Sequence, residues 1–218
     1  MDTPRSDVSA DPARTPIPPA AGSPMRLVRN AARRLRKPFR AAFPATYWAL
    51  EYWRAARKTC PQRDEHARMF ASFLEQCAGK PCVQISVKDE IGRKFGPNWV
   101  SVDKYDTRPM IDRHDDIEAL GFADASFHGA VCWSVLEHVP HPQIAIRELH
   151  RVLKPGGVIW IQVPFLFPYH EAPNDYWRVS PDGLRIWMSE FEELRCTYDY
   201  WAPTSLVAGT YFYGKKRA

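Results

Sequence analysis

Nine consecutive positions, HEAPNDYWR (170–178), hold His170, Glu171, Asp175, Tyr176, Trp177 and Arg178. A histidine can act as a general base near neutral pH, so His170 is a candidate to take a proton from a hydroxyl group. Aromatic surface beside planar hydrogen-bonding groups suits a sugar or another polar molecule. Tyr176, Asp175 and Arg178 are therefore candidate substrate contacts, and the Arg178 guanidinium can grip a phosphate or carboxylate in a forked contact. The plainer alternative is an ordered loop in which Asp175 and Arg178 pair with each other. A second cluster lies upstream in Leu136-Glu137-His138, followed by His141. There His138 reads as a buried or capping histidine or as a second candidate base, Glu137 as a structural or ligand-side group, and His141 as a helix-start residue. No Ser-His-Asp or Cys-His arrangement competes, and no ligand spacing reads as a metal site. No metal is expected.

The elements around these residues define how they are positioned. From Asp115 to Pro164 the chain runs through an acidic pair, an apolar strand, the Leu-Glu-His turn, an amphipathic helix, Lys154-Pro155-Gly156-Gly157 and a second apolar strand. That order is a strand–helix–strand crossover, the unit of a parallel sheet. Ligands of such sheets lie at the carboxyl ends of the strands, here after Ser134 and after Pro164. The periodicity predicts a helix over 62–78, with Met69, Phe70, Phe73 and Leu74 on one side. It predicts strands at 82–87, 99–103, 130–135 and 158–164, with a short strand near Met110 and Ile111. A helix from about Pro142 to Leu153 buries Ile144, Ile146, Leu149 and Val152, and Gly156 and Gly157 end it. Ser180 and Pro181 start a helix reaching about Phe191, and 193–201 and 209–216 alternate as a closing antiparallel pair.

Charge and composition divide the chain. Residues 1–60 carry a net charge of +8 and residues 61–218 a net charge of −3, so the basic character belongs to the extension. The globular part is thus not expected to bind nucleic acid. Residues 1–24, rich in Pro, Ala, Ser and Asp, read as a disordered tail. Residues 25–60 read as a basic, aromatic helical arm kinked at Pro38. Its arginines are solvated on a packed arm, set against an anionic membrane surface over 25–58, or, as the least favoured reading, placed against nucleic acid. Residues 61–218 form the domain proper. No apolar run is long enough to span a membrane, and no secretory signal is expected. Five scattered cysteines, Cys132 in a core strand among them, read as reduced thiols. A cytoplasmic location follows, peripheral to a membrane if the arm docks. No oligomeric state is assigned.

The segments DDIEALGFADASFHGAVCWSVLEHV and RVLKPGGVIWIQVPF resemble the class I S-adenosylmethionine-dependent methyltransferases, in the small branch with a Leu-Glu-His turn. PFLFPYHEAPNDYWRVSPDGLRIWM resembles the region after strand five in methyltransferases associated with glycan and polysaccharide biosynthesis. The resemblance implies an α/β, Rossmann-like, doubly wound and mostly parallel seven-stranded sheet, with helices on both faces and an antiparallel final strand. It implies S-adenosyl-L-methionine as cofactor and O-methylation of a glycan-related or small polar acceptor, with His170 as catalytic base. Asp103 matches the acid for the ribose hydroxyls, and Asp116, beside its competitor Asp115, the acid for the adenine amino group. Trp133 and Ser134 match positions lining the methionine part, and Trp133 serves equally well as core. Gln84, Ser86 and Lys88 stand where the family carries an acid and its first two glycines, and His128 stands where it carries an aspartate. Ser86 is a tolerable substitute for glycine, whereas Lys88 alters the site. These departures leave open a second reading, a catalytically inactive, partner-binding module on the same fold.

Overall fold

A computed structural model describes residues 38–47, 49–50, 63–87, 94–200 and 207–217. The expected tail (1–24), most of the arm (25–60), and Lys88 lie outside the described residues. In the arm, residues 38–42 and 44–47 are helical, separated by Phe43, which precedes Pro44. Proline disfavours helical geometry in the residue before it, which places the interruption there. Among the described residues no helix is long and apolar enough to cross a membrane.

The core is a sheet of six strands among the described residues. In chain order the elements are α1 (Arg63–Cys77), β1 (Cys82–Ile85), β2 (Trp99–Val102) and β3 (Phe127–Trp133). After a 3-10 turn (Leu136–His138) come α2 (Pro142–Val152), β4 (Leu153–Leu166), α3 (Pro181–Trp187), β5 (Phe191–Tyr200) and β6 (Ala208–Lys216). The strand order is β2-β1-β3-β4-β6-β5. β1 pairs in parallel with β2 and β3, β3 with β4, and β6 runs antiparallel to both β4 and β5. Chain direction across the sheet reverses between β1 and β3, so the crevice above those two strands is the expected ligand position.

Both faces are covered, as the apolar strands require. Val83, Ile85, Ala130, Cys132, Ile159 and Ile161 pack with α2 and α3 through Ile146, Leu149, Leu184 and Met188. On the opposite face Cys82, Trp99, Val131, Trp160, Tyr211 and Tyr213 pack with Phe73 and Cys77 of α1, and Met69, Phe70 and Leu74 complete the layer. Trp160 is fully buried and touches the rings of His66, Phe70, Phe73, Tyr211 and Tyr213.

Four expectations need correction. The strand near Met110 and Ile111 is absent, and a single parallel bridge joins Val102 to Arg113. The edge of β2 is instead capped by a side chain: the Ser101 backbone N–H donates to Asp112 Oδ2 at 2.8 Å, and the amides of Asp112 and Arg113 both donate to Ser101 O at 3.1 Å. With its edge groups consumed this way, β2 has no room for a full neighbour, and the expected seventh strand reduces to that bridge. Ile144 is exposed, and Ala145 takes its place on the buried face of α2. Gly156 and Gly157 do not end α2, because it stops at Val152 and passes directly into β4 at Leu153, so both glycines lie within the strand. Gly156 sits at φ +74, which a side chain disfavours, and a Cβ on Gly157 would lie 2.9 Å from the carbonyl oxygens of His128 and Lys154. Finally, α3 ends at Trp187 rather than Phe191. Its start is as read: Ser180 Oγ accepts from the Gly183 amide and Pro181 occupies the first turn.

Replacing Trp160 with alanine removes a side chain shared by α1, β4 and β6. It is expected to cost about 3–5 kcal/mol, with a smaller loss for Trp160→Phe. Urea titration followed by far-ultraviolet circular dichroism checks the order; equal stability of wild type and Trp160→Ala would rule out this residue as the keystone of that face.

Candidate active site

The carboxyl ends of β1, β2, β3 and β4 open into one cavity of about 940 Å³. Ser86 and Val87 line it after β1, Asp103 to Asp106 after β2, Trp133 to Val135 after β3, and Pro164 in β4. The roof comes from Glu137, His138 and the segment Phe167 to Tyr176.

Two adjacent strands leave the sheet in the same unusual way. Ser86 has φ +62 and Ser134 has φ +54. Left-handed backbone is uncommon for residues other than glycine and is costly enough that the surroundings must enforce it. Ser86 N–H donates to Val102 O at 2.8 Å, and Ser134 N–H donates to Gln162 O at 2.9 Å. Each chain therefore turns at the crevice while still held by its neighbouring strand. Ser86 stands where the family pattern carries a glycine, and its backbone has a conformation that glycine adopts freely.

Asp103, at the exit of β2, accepts from the amides of Tyr105 and Asp106 through Oδ1, at 2.8 and 2.9 Å. Its other oxygen, Oδ2, has no protein donor among the described residues. Asp116 is differently placed. Oδ2 receives Lys104 Nζ at 2.6 Å and Oδ1 receives the Glu118 amide at 2.9 Å. Burial pushes its carboxyl up, but the Lys104 and Glu118 contacts outweigh burial and hold it below the usual range. Asp115 pairs with Arg113 at 3.0 Å. Trp133 lines the cavity and also meets the Phe70 ring edge-on at 5.1 Å, so it serves both as wall and as core.

Gln84 is not a wall residue. It is 2% exposed and accepts from the Phe95 amide through Oε1 at 3.3 Å, on the face toward Trp99 rather than at the strand end. Strand alternation puts it there: Val83 and Ile85 face one core and Cys82 the other. The expected cofactor contact through its side chain is thus replaced by a structural one.

The loop after β4 is locked by Arg178. Its Nη1 and Nη2 donate to the two carboxylate oxygens of Asp175 at 2.6 and 2.5 Å. Its remaining donors reach the carbonyls of Phe167, Pro168 and Trp177. The Asp175 side chain is 1% exposed. Arg178 holds its carboxyl down to about 2, burial opposes this, and the His170 amide, donating at 2.7 Å, reinforces it. The expectation that Asp175 and Arg178 touch the acceptor gives way to the plainer alternative, because neither lines the cavity and their hydrogen-bonding groups serve the loop. Tyr176 does line it.

This loop is stitched to the Leu-Glu-His turn. The amides of Tyr176 and Trp177 donate to Glu137 O at 2.8 and 3.3 Å, Trp177 Nε1 donates to Val139 O at 2.9 Å, and His138 Nδ1 lies 2.5 Å from Asn174 O. His138 and His170 consequently meet edge to face, 4.9 Å between ring centres. Burial pushes the His138 ring below the usual histidine range, against the opposing pull of the Asn174 carbonyl. One donor atom from each of Glu137, His138 and His170 lies within 4.8 Å of the other two. The sequence pattern offers Glu137 as a structural or ligand-side group and His138 as a buried or capping histidine or second base, and does not by itself bring them together with His170. The adjacent Glu-His pair, followed after the next strand by a histidine on the same rim, was the available signal.

In a doubly wound sheet the crevice above the topological reversal is where ligands bind, and the cavity lies there. Residues 30–161, more than half of the chain, match the family described as "Methyltransferase domain", and the chain belongs to that family. It is 31% identical over 107 residues to the demethylmenaquinone methyltransferase of Staphylococcus haemolyticus, covering 44% of this chain and 45% of that protein. The corresponding protein of Staphylococcus epidermidis is 32% identical over 96 residues, covering 39% and 40%. The chain thus matches less than half the length of these curated relatives. Among solved structures it is similar to the N-methyltransferase NodS from Bradyrhizobium japonicum WM9 in complex with S-adenosyl-L-homocysteine. There the TM-score is 0.52 at 14% identity, covering 72% of this chain and 87% of that one. It is also similar to the [4+2]-cyclase SpnF, with a TM-score of 0.53 at 12% identity, covering 69% and 81%. At these identities the likeness establishes the fold.

The Asp175–Arg178 pair generates a pH signature. A carboxyl held near 2 in the folded state binds its proton more readily once unfolded, so its stabilisation is present above about pH 4 and disappears as pH falls toward 2. The shift corresponds to about 2 kcal/mol. Asp175→Asn is expected to lose roughly that amount at pH 7 and to show a shallower fall in stability between pH 4 and 2. Denaturant titrations across that range check it, and an unchanged acid limb would remove the pair from its role.

Proposed function

We propose that the chain transfers the methyl group of S-adenosylmethionine to an oxygen of a small polar acceptor. The observation that carries this reading is the pair of left-handed serines, Ser86 and Ser134, flanking one cavity that also contains a carboxylate oxygen of Asp103 with no protein donor among the described residues. Membership of the methyltransferase family and the ligand named for NodS support the cofactor. The cavity volume falls within the usual range for small-molecule sites, about 300–1,000 Å³. The residues present fit the group: Asp103 Oδ2 is an acceptor for ribose hydroxyls, Ser86 lets the β1 backbone approach, and Trp133 and Ser134 wall the methionine side. When bound, S-adenosylmethionine supplies an electrophilic methyl carbon on a sulfonium sulfur.

The chain's own work is then positioning and exclusion of water. Tyr176 and the roof segment bound the acceptor lobe, and His170 is the group there suited to take the hydroxyl proton. Arg178 and Asp175 act as positioning residues, because they fix the His170 backbone and ring. The glycan-related acceptor expected from the sequence rests on the pattern around residues 164–188 alone; the similar proteins are named for demethylmenaquinone and for N-methylation. Membrane contact through residues 25–58 is retained as a proposal on the arm's charge pattern.

One observation favours the second reading, a binding module without transferase activity. Lys104 bridges the carboxylate assigned to the adenine amino group, so a ligand must compete with an ion pair already formed at 2.6 Å.

Calorimetric titration of S-adenosylmethionine and S-adenosylhomocysteine into the full chain separates the two. Micromolar binding is expected. Asp103→Asn keeps the acceptor for Tyr105 and Asp106 but presents an NH₂ to the ribose, so at least a tenfold loss is expected, about 1.4 kcal/mol or more. No binding by a folded wild-type chain at near-millimolar ligand would sink the transferase reading and leave the binding module.

A further inference from the structure

We propose that Glu137, His138 and His170 form a site for a divalent transition-metal ion in the roof of the cavity. One donor atom from each lies within 4.8 Å of the other two, and all three residues line the cavity. The Glu137 side chain is fully buried, and its Oε1 lies 3.8 Å from His138 Nε2. A carboxylate and two imidazoles form the donor set that three-coordinate protein sites offer to zinc, manganese, cobalt or ferrous iron, with the remaining positions open. Magnesium and calcium prefer oxygen throughout, so the two imidazoles select against them.

The surroundings are those of a ligating site rather than a chance meeting. Ligand histidines hold their second ring nitrogen against an oxygen, which fixes the tautomer and aims the lone pair. His138 Nδ1 lies 2.5 Å from Asn174 O, which leaves Nε2, the nitrogen beside Glu137, as the donor to an ion. His170 Nδ1 lies 3.3 Å from Pro168 O and 3.4 Å from Asp175 Oδ2. Arg178 Nη2 also approaches His170 Nδ1, at 3.2 Å. Ion binding at Nε2 selects the tautomer in which Nδ1–H faces Pro168 O and Asp175, and Arg178 Nη2 keeps its bonds to that same carbonyl and carboxylate. Donor atoms of a bound ion sit about 2.0–2.2 Å from it. The three must therefore draw in by roughly an ångström, which falls to the part-exposed His170 ring because Glu137 and His138 sit in one packed turn.

Ion binding itself does not rest on the methyltransferase reading. Its consequence for substrate does: the open positions would face the acceptor lobe and select acceptors with a hard oxygen donor. With an ion bound, His170 is a ligand and no longer the proton acceptor, so the base role proposed above belongs to the ion-free state.

The test uses the untagged full chain, stripped with a chelator and titrated with Co²⁺ alone while visible absorption is recorded, with Zn²⁺ competition by calorimetry. S-adenosylhomocysteine is titrated in parallel. The expected result is one equivalent of Co²⁺ with ligand-field bands displaced by Zn²⁺, and affinity at least tenfold weaker in His170→Ala with an unchanged circular dichroism spectrum. Glu137→Gln tests the buried ligand, and His170→Ala keeps the proposal falsifiable if that variant does not fold. Absence of Co²⁺ binding by folded wild type, or equal binding by His170→Ala, overturns the site. Ion binding with no S-adenosylhomocysteine binding supports the site and overturns the cofactor reading instead.

Discussion

The roof of the cavity depends on the donors of one guanidinium. Arg178 ties the Asp175 carboxylate to the carbonyls of Phe167, Pro168 and Trp177, and so converts an otherwise irregular segment into a rigid arch. An irregular loop over a cavity has no ladder to satisfy its backbone, so its polar groups must find side-chain partners. Asp175 does part of that work by accepting the His170 amide, and the Leu-Glu-His turn does the rest by accepting the amides of Tyr176 and Trp177. Without this arch, His170 would have no fixed relation to the strands below it.

The floor follows a different constraint. Four parallel strands deliver their ends to one place, but a strand end becomes a ligand cradle only if the chain turns sharply enough to free its backbone. Ser86 and Ser134 make that turn in left-handed geometry, each anchored to the next strand. Glycine would reach the same conformation with less strain, so serine here is a stability cost retained at the point where the fold places ligands. Floor and roof meet at Glu137 and His138, whose turn leaves β3 just after Ser134.

The parts of the fold set by local pattern were legible in the sequence. The apolar runs of β1, β3 and β4, the Ser180–Pro181 start of α3 and the apolar face of α1 all stand where residue type places them. The misread segments are those decided by partners distant in sequence. Met110 and Ile111 look like strand, yet Asp112 had already claimed the backbone of Ser101. Ile144 lies at helical spacing, but a shift of one residue puts Ala145 against the sheet. In the site, Asp103, Ser86 and Ser134, indicated by the family pattern, and His170, indicated by its place shortly after β4, all stand on the cavity wall. Gln84 does not, because alternation within β1 turns its side chain away from the strand end. The Asp175–Arg178 pairing was visible as the plainer of two alternatives. The convergence of Glu137 with His170 was not, since it depends on the hydrogen bonds that tie the loop after β4 to the turn after β3.

The position of β6 governs how this molecule can be assembled. It is the last described strand in sequence, yet it lies between β4 and β5 and supplies both with their partner. A nascent chain that has emerged only as far as β5 therefore carries two open strand edges, and Trp160 without the rings of Tyr211 and Tyr213 to cover it. Such edges invite pairing with other chains. The sheet closes only after β6 inserts between strands made earlier, a non-local step of the kind that slows folding. During synthesis the sheet is thus most exposed to aggregation just before β6 emerges, and a chaperone acting on it would act at that stage.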